Sequence, residues 1–250
     1  MNMPNDLPTA HADSLGFPDT PWSQVLKAKR GQGEEAFDAL DKLCIRYRPV
    51  IRRVFLLLVR NPNEADDMTQ TFFINRFVRT EFLGSVEAEN GCFRHFLRHC
   101  IGNHARSYLR DRQRRPDSGD LAIPWESGHE TLSGASPSPE DLADAELARQ
   151  ILEEAKERLL AEASQSGQRE LADAVIAQFE GSESPGLLAE FARRSGKSES
   201  AVHVAAFRIR ERWRWLIQDE VRALVANPTA LKDELRHLAE ALARCPAPTG

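Results

Sequence analysis

From position 34 onward the apolar residues of this chain recur at three- and four-residue steps, and almost nowhere do they alternate with polar ones. Phe37, Leu40, Cys44, Tyr47, Ile51, Val54 and Leu58 follow one another in this way. That spacing puts side chains on one face of a helix, whereas a half-buried strand needs a period of two. An all-α fold is therefore expected. Pro49 falls inside the first stretch and predicts a kink or a break there. Asn61-Pro62-Asn63 ends it, and Asn63 is placed to cap a second helix whose first turn carries Glu64, Asp66 and Asp67, where the helix dipole favours acids. Met68, Phe72 and Phe77 fall on its inner side. A loop over 84–91 leads to a third helix from near Cys92, with Phe93, Phe96, Cys100, Ala105 and Tyr108 inward. Arg94, Arg98, Arg106, Arg110, Arg112, Arg114 and Arg115 occupy its remaining surface.

The formal net charge is −5 over 250 residues, but it is segregated: 92–115 carries +6, 116–186 carries −12 and 187–222 carries +3. Two basic modules flanking an acidic connector fit a protein that touches a polyanion twice. The longest strongly apolar run, 55–59, is far short of the roughly 20 residues that span a bilayer, so no membrane insertion is expected. No apolar segment follows Met1, and the four cysteines lack CxxC spacing. Reduced thiols and a cytoplasmic location are the resulting expectations.

Pro116 closes the basic helix, and 117–139 is rich in Ser, Gly, Pro and Asp, the composition of a flexible linker. Helical pattern resumes at Glu140 and, after the Ser164–Gly167 stretch, runs on to about Phe179. Ser184-Pro185 then reads as a cap with a proline at the first helical position. Leu188, Phe191 and Ala192 form the apolar face of a short helix. Gly196 and the cap Ser198 precede a longer helix with Val202, Ala205, Ala206, Ile209, Trp213 and Leu216 inward. A short helix, a glycine turn and a long helix make a helix-turn-helix pattern. Ala192 is small where the helices cross, Gly196 supplies a positive φ, and Val202 plugs the gap between them. Lys197 departs from the pattern, which usually has an apolar residue there. The outward residues at the start of the long helix are Ser198, Glu199, Ser200, His203, Val204, Phe207 and Arg208. Carboxylate, guanidinium and apolar groups in that place suit base edges in a major groove. Arg210, Arg212 and Arg214 suit phosphates or solvent.

Both modules together resemble the extracytoplasmic-function (ECF) subfamily of RNA polymerase sigma factors, within the sigma-70 family. Residues 63–73 (Asn-Glu-Ala-Asp-Asp-Met-Thr-Gln-Thr-Phe-Phe) are similar to the acidic, Gln- and Phe-bearing helix of sigma domain 2. Residues 96–110, with Asn103, Ala105, Tyr108, Leu109 and Arg110, are similar to its next helix, and 187–217 to sigma domain 4. The opening Thr20-Pro21-Trp22-Ser23 and the tail over 221–242 are similar to a variant seen in planctomycete-type members. The resemblance implies two helical domains joined by an acidic, partly disordered linker: a tail over 1–19, domain 2 over 20–115, linker over 116–149, domain 4 over 150–222, and a C-terminal helical extension and tail over 223–250. It further implies that Asp66, Asp67, Gln70 and Phe73 contact core RNA polymerase. Asn103, Arg106, Arg110, Arg112 and Arg114 would hold −10 promoter DNA, with a base pocket in the loop over 83–91. Ser198, Glu199, Ser200, His203, Val204, Phe207, Arg208 and Arg210 would read −35 DNA. An anti-sigma factor or another protein regulator is a further implied partner.

Competing chemistries are weaker. Cys92, His95 and His99 share a helix face and offer zinc-type donors, but a structural zinc site wants a fourth ligand from another element, so no metal and no cofactor are expected. Glu64, Asp66 and Asp67 have a sufficient reason to sit at a helix N-terminus, and Gly-rich phosphate loops are missing, so the chain reads as a non-enzyme. The stripe Leu231, Leu235, Leu238 and Leu242 reads as core or a docking face, too short for a coiled coil. The alternative reading is a free-standing helix-turn-helix regulator acting without polymerase. The acidic connector is placed to lie over the basic faces of the free protein.

Overall fold

The computed structural model describes residue 24 and residues 34–76, 92–114, 137–180, 186–225 and 227–246. The expected linker stretch 117–136, the loop over 83–91, Phe77, Arg115, Ser184 and Pro185 lie outside these. The described residues form eight α-helices and no strand: α1 (Glu34–Val59), α2 (Pro62–Arg76), α3 (Phe93–Gln113), α4 (Pro139–Gln165), α5 (Arg169–Phe179), α6 (Leu187–Ser195), α7 (Glu199–Arg222) and α8 (Leu231–Arg244), the last preceded by a 3₁₀ turn at Pro228–Ala230. An isolated backbone bridge pairs Cys92 with Val225. No helix among the described residues is long and apolar enough to cross a membrane.

Helix α1 runs through Pro49 without interruption, so the expected break is absent. Pro49 lacks the N–H that Ile45 would accept from one turn earlier. Both residues lie on the exposed side of the helix, where water can bond the released carbonyl. The cap of α2 is also one step from expectation. Asn61, not Asn63, accepts the backbone N–H groups of Asn63 (3.0 Å) and Glu64 (3.2 Å) through Oδ1, and Pro62 then takes the first helical position.

Two hydrophobic clusters organise the chain. The first joins α1, α2 and α3 around Val50, Ile51, Val54, Phe55, Met68, Phe72, Leu97 and Ile101. The edge of Phe72 meets the ring of Phe55 at 5.9 Å between centroids, and His104 packs on both rings at 5.5 and 5.4 Å. His104 is buried there and donates its Nε2–H to the Met68 carbonyl at 3.1 Å. The second cluster joins α5, α6 and α7 around Leu171, Val175, Leu188, Val202, Ile209 and Leu216.

Helix α4 belongs to both. Leu142, Leu147 and Ile151 enter the first cluster, and Ala155, Leu159 and Ala163 the second. Its start is well specified. Ser138 Oγ accepts the Asp141 N–H, the Asp141 carboxylate accepts the Ser138 N–H in return, and Pro139 opens the helix. No breaker intervenes before Gln165, so the boundary expected at 149/150 falls inside a continuous helix. The described part of the expected linker, 137–149, is a capped and largely buried helix rather than a joint. The leucine stripe of α8 is covered as well: Leu238 is buried, and Leu231, Leu235 and Leu242 pack on the first cluster.

Phe72 has no exposure, whereas Phe73 is half-buried beside it. Phe72→Ala should lower unfolding stability by about 3–5 kcal/mol in urea titration. Phe73→Ala should cost less than about half as much; equal losses would place Phe73 in the core as well.

Candidate nucleic-acid interface

The basic helix α3 sits differently from its sequence pattern. Leu97, Cys100, Ile101, His104 and Ala105 face the core, while Phe96 and Tyr108 are only half-buried. The buried face is thus turned by about one position, and that turn carries Arg94 inside. Arg94 is 4 % exposed. Its Nε donates to Glu234 of α8 at 2.7 Å, and its Nη1 to both oxygens of Asp144 of α4 at 3.3 Å. Asp144 and Glu234 are themselves 2 % and 4 % exposed. A buried guanidinium is tolerable only with such partners, because loss of water around an unpaired charge costs several kcal/mol.

The other arginines of α3 divide into held and open ones. Arg98 donates to Asp144 at 2.6 Å, Arg106 pairs with Glu140 at the start of α4, and Arg112 pairs with Glu64 of α2 at 3.1 Å. Arg106 also donates to Asn103 Oδ1 at 2.8 Å, and Asn103 in turn bonds His99 Nε2 at 2.8 Å. Arg110 and Arg114 are exposed and have no carboxylate partner among the described residues. Of the five residues expected to hold −10 DNA, two therefore stand open, two are ion-paired and Asn103 is tied to its helix neighbours. Sequence reasoning missed Arg94, Asp144, Glu140 and Glu234. The four-residue step from Glu140 to Asp144 was the available signal, together with Gly102 inside an otherwise regular helical pattern.

On α2, Asp66, Asp67 and Gln70 share an exposed face. Arg52 of α1 donates through Nε and Nη2 to the Asp66 carboxylate; these hydrogen bonds hold Asp66 below the usual carboxylate range. Phe73 is half-buried against Phe72, with ring centroids 5.5 Å apart.

The short helix, glycine turn and long helix take the expected form. Gly196 has φ +67°, and the N–H groups of Gly196 and Lys197 both donate to the Ala192 carbonyl, closing α6. Ser198 caps α7 by accepting the Ala201 N–H at 3.3 Å. Ala192 and Val202 are buried where the helices meet. Ser198, Glu199, Ser200, His203, Val204, Phe207 and Arg208 all face solvent, with Val204 at 53 % and Phe207 at 58 % exposure. Arg210 departs from this group. It donates to Gln178 of α5 at 2.8 Å and lines a cleft of about 400 Å³ together with Leu152, Lys156, Phe179 and Trp213. Arg212 is held by both oxygens of Glu162 at 2.7 Å and stacks over Trp215 at 4.3 Å.

The zinc-type trio does not converge. His95 Nε2 lies 2.8 Å from Arg94 Nη2, His99 bonds Asn103, and Cys92 lies beside Glu234. No metal-binding group of three or more His, Cys, Asp or Glu side chains occurs among the described residues. Burial, then the Glu234 charge, pushes the Cys92 thiol up to about 12, and burial, then Asp41, pushes Cys44 up to about 11. No family model, curated protein or solved structure matches the chain.

This geometry is open to two measurements. Arg94→Ala leaves two buried carboxylates short of a partner and should cost about 3 kcal/mol in urea unfolding. With their thiols raised in this way, Cys92 and Cys44 should be labelled by Ellman's reagent at pH 8 about a hundredfold slower in the folded chain than in the urea-unfolded one. Labelling of Cys92 at the unfolded rate would mean that the contact between α3 and α8 is not closed.

Proposed function

We propose that this chain is a sigma factor of the ECF type: a non-enzymatic cytoplasmic subunit that binds core RNA polymerase and directs it to promoters. In this reading Asp67, Gln70 and the edge of Phe73 meet polymerase, with Asp66 positioned by Arg52. Helix α3 meets the melted −10 strand through Arg110 and Arg114 first, joined by Asn103, Arg106 and Arg112. The start of α7 reads the −35 element as the second helix of a helix-turn-helix. There Glu199 can accept from a cytosine amino group, Arg208 can donate to a guanine edge, and Val204 and Phe207 can meet a thymine methyl.

The observation that carries the reading is the solvent-facing row on the first turns of α7. It combines two large apolar side chains with a carboxylate and a guanidinium, none of them ion-paired among the described residues. Exposure of Val204 and Phe207 costs solvation without any return inside the chain, which suits a surface made for contact. The acidic face of α2 beside a basic α3 supports sigma activity over plain DNA binding, since a free-standing regulator has no use for it. One observation favours that second reading. Arg98, Arg106 and Arg112 are already paired within the chain, as they would be if α3 were purely structural.

Run-off transcription with purified core polymerase on genomic fragments that the protein binds separates the two. A sigma factor yields transcripts; duplex binding without any transcript leaves the regulator. Asp67→Arg should abolish polymerase binding while the full chain keeps its duplex affinity. Arg208→Ala should weaken binding to the preferred site by about 1–3 kcal/mol, and an equal loss on every sequence would reduce Arg208 to a phosphate contact.

A further inference from the structure

The seam between α3 and the helices that cover it is unlike the rest of the first cluster. Inside α1–α3 the contacts are apolar and aromatic. Where α4 and α8 close over α3, the buried groups include Arg94, Asp144 and Glu234. The apolar residues that α4 buries here are in good part alanines, Ala143, Ala145 and Ala148, beside Leu142 and Leu147. Buried charge is thus concentrated at this seam, beside apolar residues that join the same cluster as α1–α3. Buried ion pairs of this sort define a position more than they stabilise it.

Along that seam two carboxylates of α4 face the arginines of α3. Glu140 and Asp144 are four residues apart, about 6 Å along the helix axis, a spacing of the order of that between phosphates in an extended single strand. Each is gripped by an arginine of α3: Glu140 by Arg106, and Asp144 by Arg98 and Arg94. Glu234 of α8 completes the grip on Arg94, and α8 is strapped to α4 by the Arg149 side chain, which donates to the Cys245 carbonyl. Gly102 of α3 is the second sign of a made fit. A methyl group at that position would overlap the Glu140 carboxylate, so glycine inside the helix admits the acid that neutralises Arg106.

We propose that the first turns of α4, latched by α8, are a removable acidic strap that occupies the single-strand-binding side of α3 in the free protein. The proposal rests on the reading of α3 as a nucleic-acid-binding helix. The carboxylates of Glu140 and Asp144 stand in for phosphates, and a nucleic-acid strand competes with them for Arg98 and Arg106. Arg110 and Arg114, which the strap leaves open, provide the foothold from which a strand displaces it. The strap explains why a helix with a strongly basic sequence presents so few open charges.

The test uses the full chain and a fluorescein-labelled single-stranded oligonucleotide, with affinity read by anisotropy across a salt series. Glu140→Gln and Gly102→Ala each release Arg106. The first removes the charge and the second displaces it while placing a better helix former in α3. Both should bind about three- to fivefold tighter than wild type at low salt, the range an exposed ion pair supports. The salt dependence should steepen by about 0.7 per released arginine. Adding Arg106→Ala to either variant should cancel the gain. Glu153→Gln, which removes the same charge from an exposed position on α4, should not tighten binding. The strap is overturned if Glu140→Gln and Gly102→Ala bind no tighter than wild type, or if Glu153→Gln tightens binding as much as Glu140→Gln. In either case, run-off transcription by wild type would leave the sigma reading standing. If neither wild type nor any variant binds the strand and no transcript forms, the sigma reading falls together with the strap.

Discussion

The way α3, α4 and α8 meet depends on one buried cation. Arg94 could not enter the protein interior without two carboxylates close enough to replace its water, and these come from 50 and 140 residues further along the chain. Its burial therefore demands that α3, α4 and α8 meet at one point. Once they do, Arg98 shares Asp144, Arg106 finds Glu140, and the leucine stripe of α8 closes on the first cluster. The stabilisation from such a cluster is modest, because desolvation offsets much of the attraction. Its geometric demand is strict, since any shift of α8 or α4 leaves a charge unpaired in a dry place.

The same logic continues along α4. One face of its middle carries Gln150 and Glu154, which engage Arg46 of α1 through its carbonyl and guanidinium. Arg46 also reaches Glu220 near the end of α7 at 2.7 Å, and Arg158 of α4 holds Glu220 at 2.6 Å and Asp219 at 3.1 Å. The long helix thus carries both hydrophobic clusters and pins the far end of α7 to α1 through alternating charges. The first turns of α7 are oriented by this network at its C-terminal end, about four turns of helix from the surface proposed to meet DNA. The arginines of this network are partly exposed, whereas Glu220 is buried between them, so the network defines an orientation more than it adds stability.

Most helices are legible in the sequence because each buries a stripe that repeats every 3.6 residues, and local rules such as the positive φ at Gly196 and the cap at Ser198 need no tertiary knowledge. The misplacement of the α3 face has a tertiary cause. Periodicity locates a face only to within a position or so, and on α3 that tolerance decides whether Arg94 is solvated or buried. The partners that make its burial tolerable are too far along the chain for any local pattern to announce. The acidic connector is only partly legible for a related reason. Composition describes 117–139 as linker-like and places the next helix from Glu140; the capping box at Ser138 and Asp141 starts it at Pro139, and what no local pattern announces is that Glu140 and Asp144 pair with arginines of α3. Pro49 and the cap of α2 are local misreadings, decided by which side of α1 faces solvent and by Asn61 lying one residue before Pro62.

On the proposed reading, the two DNA-facing surfaces differ in readiness, and the difference has a direction. The first turns of α7 are open: Glu199, His203, Val204, Phe207 and Arg208 have no internal claim on them among the described residues. The basic side of α3 is largely committed, with Arg94, Arg98, Arg106 and Arg112 matched to carboxylates of three other helices. A duplex element can therefore be engaged by α7 without rearrangement, whereas a single strand must compete for α3. Since phosphate contacts supply most of non-specific affinity, internal neutralisation lowers attraction to DNA at large while leaving base-edge readout intact. In that reading Glu64, Glu140, Asp144 and Glu234, the carboxylates paired with α3, are more than a dilution of basic charge. On the proposed reading they would make DNA binding conditional on a sequence match at α7.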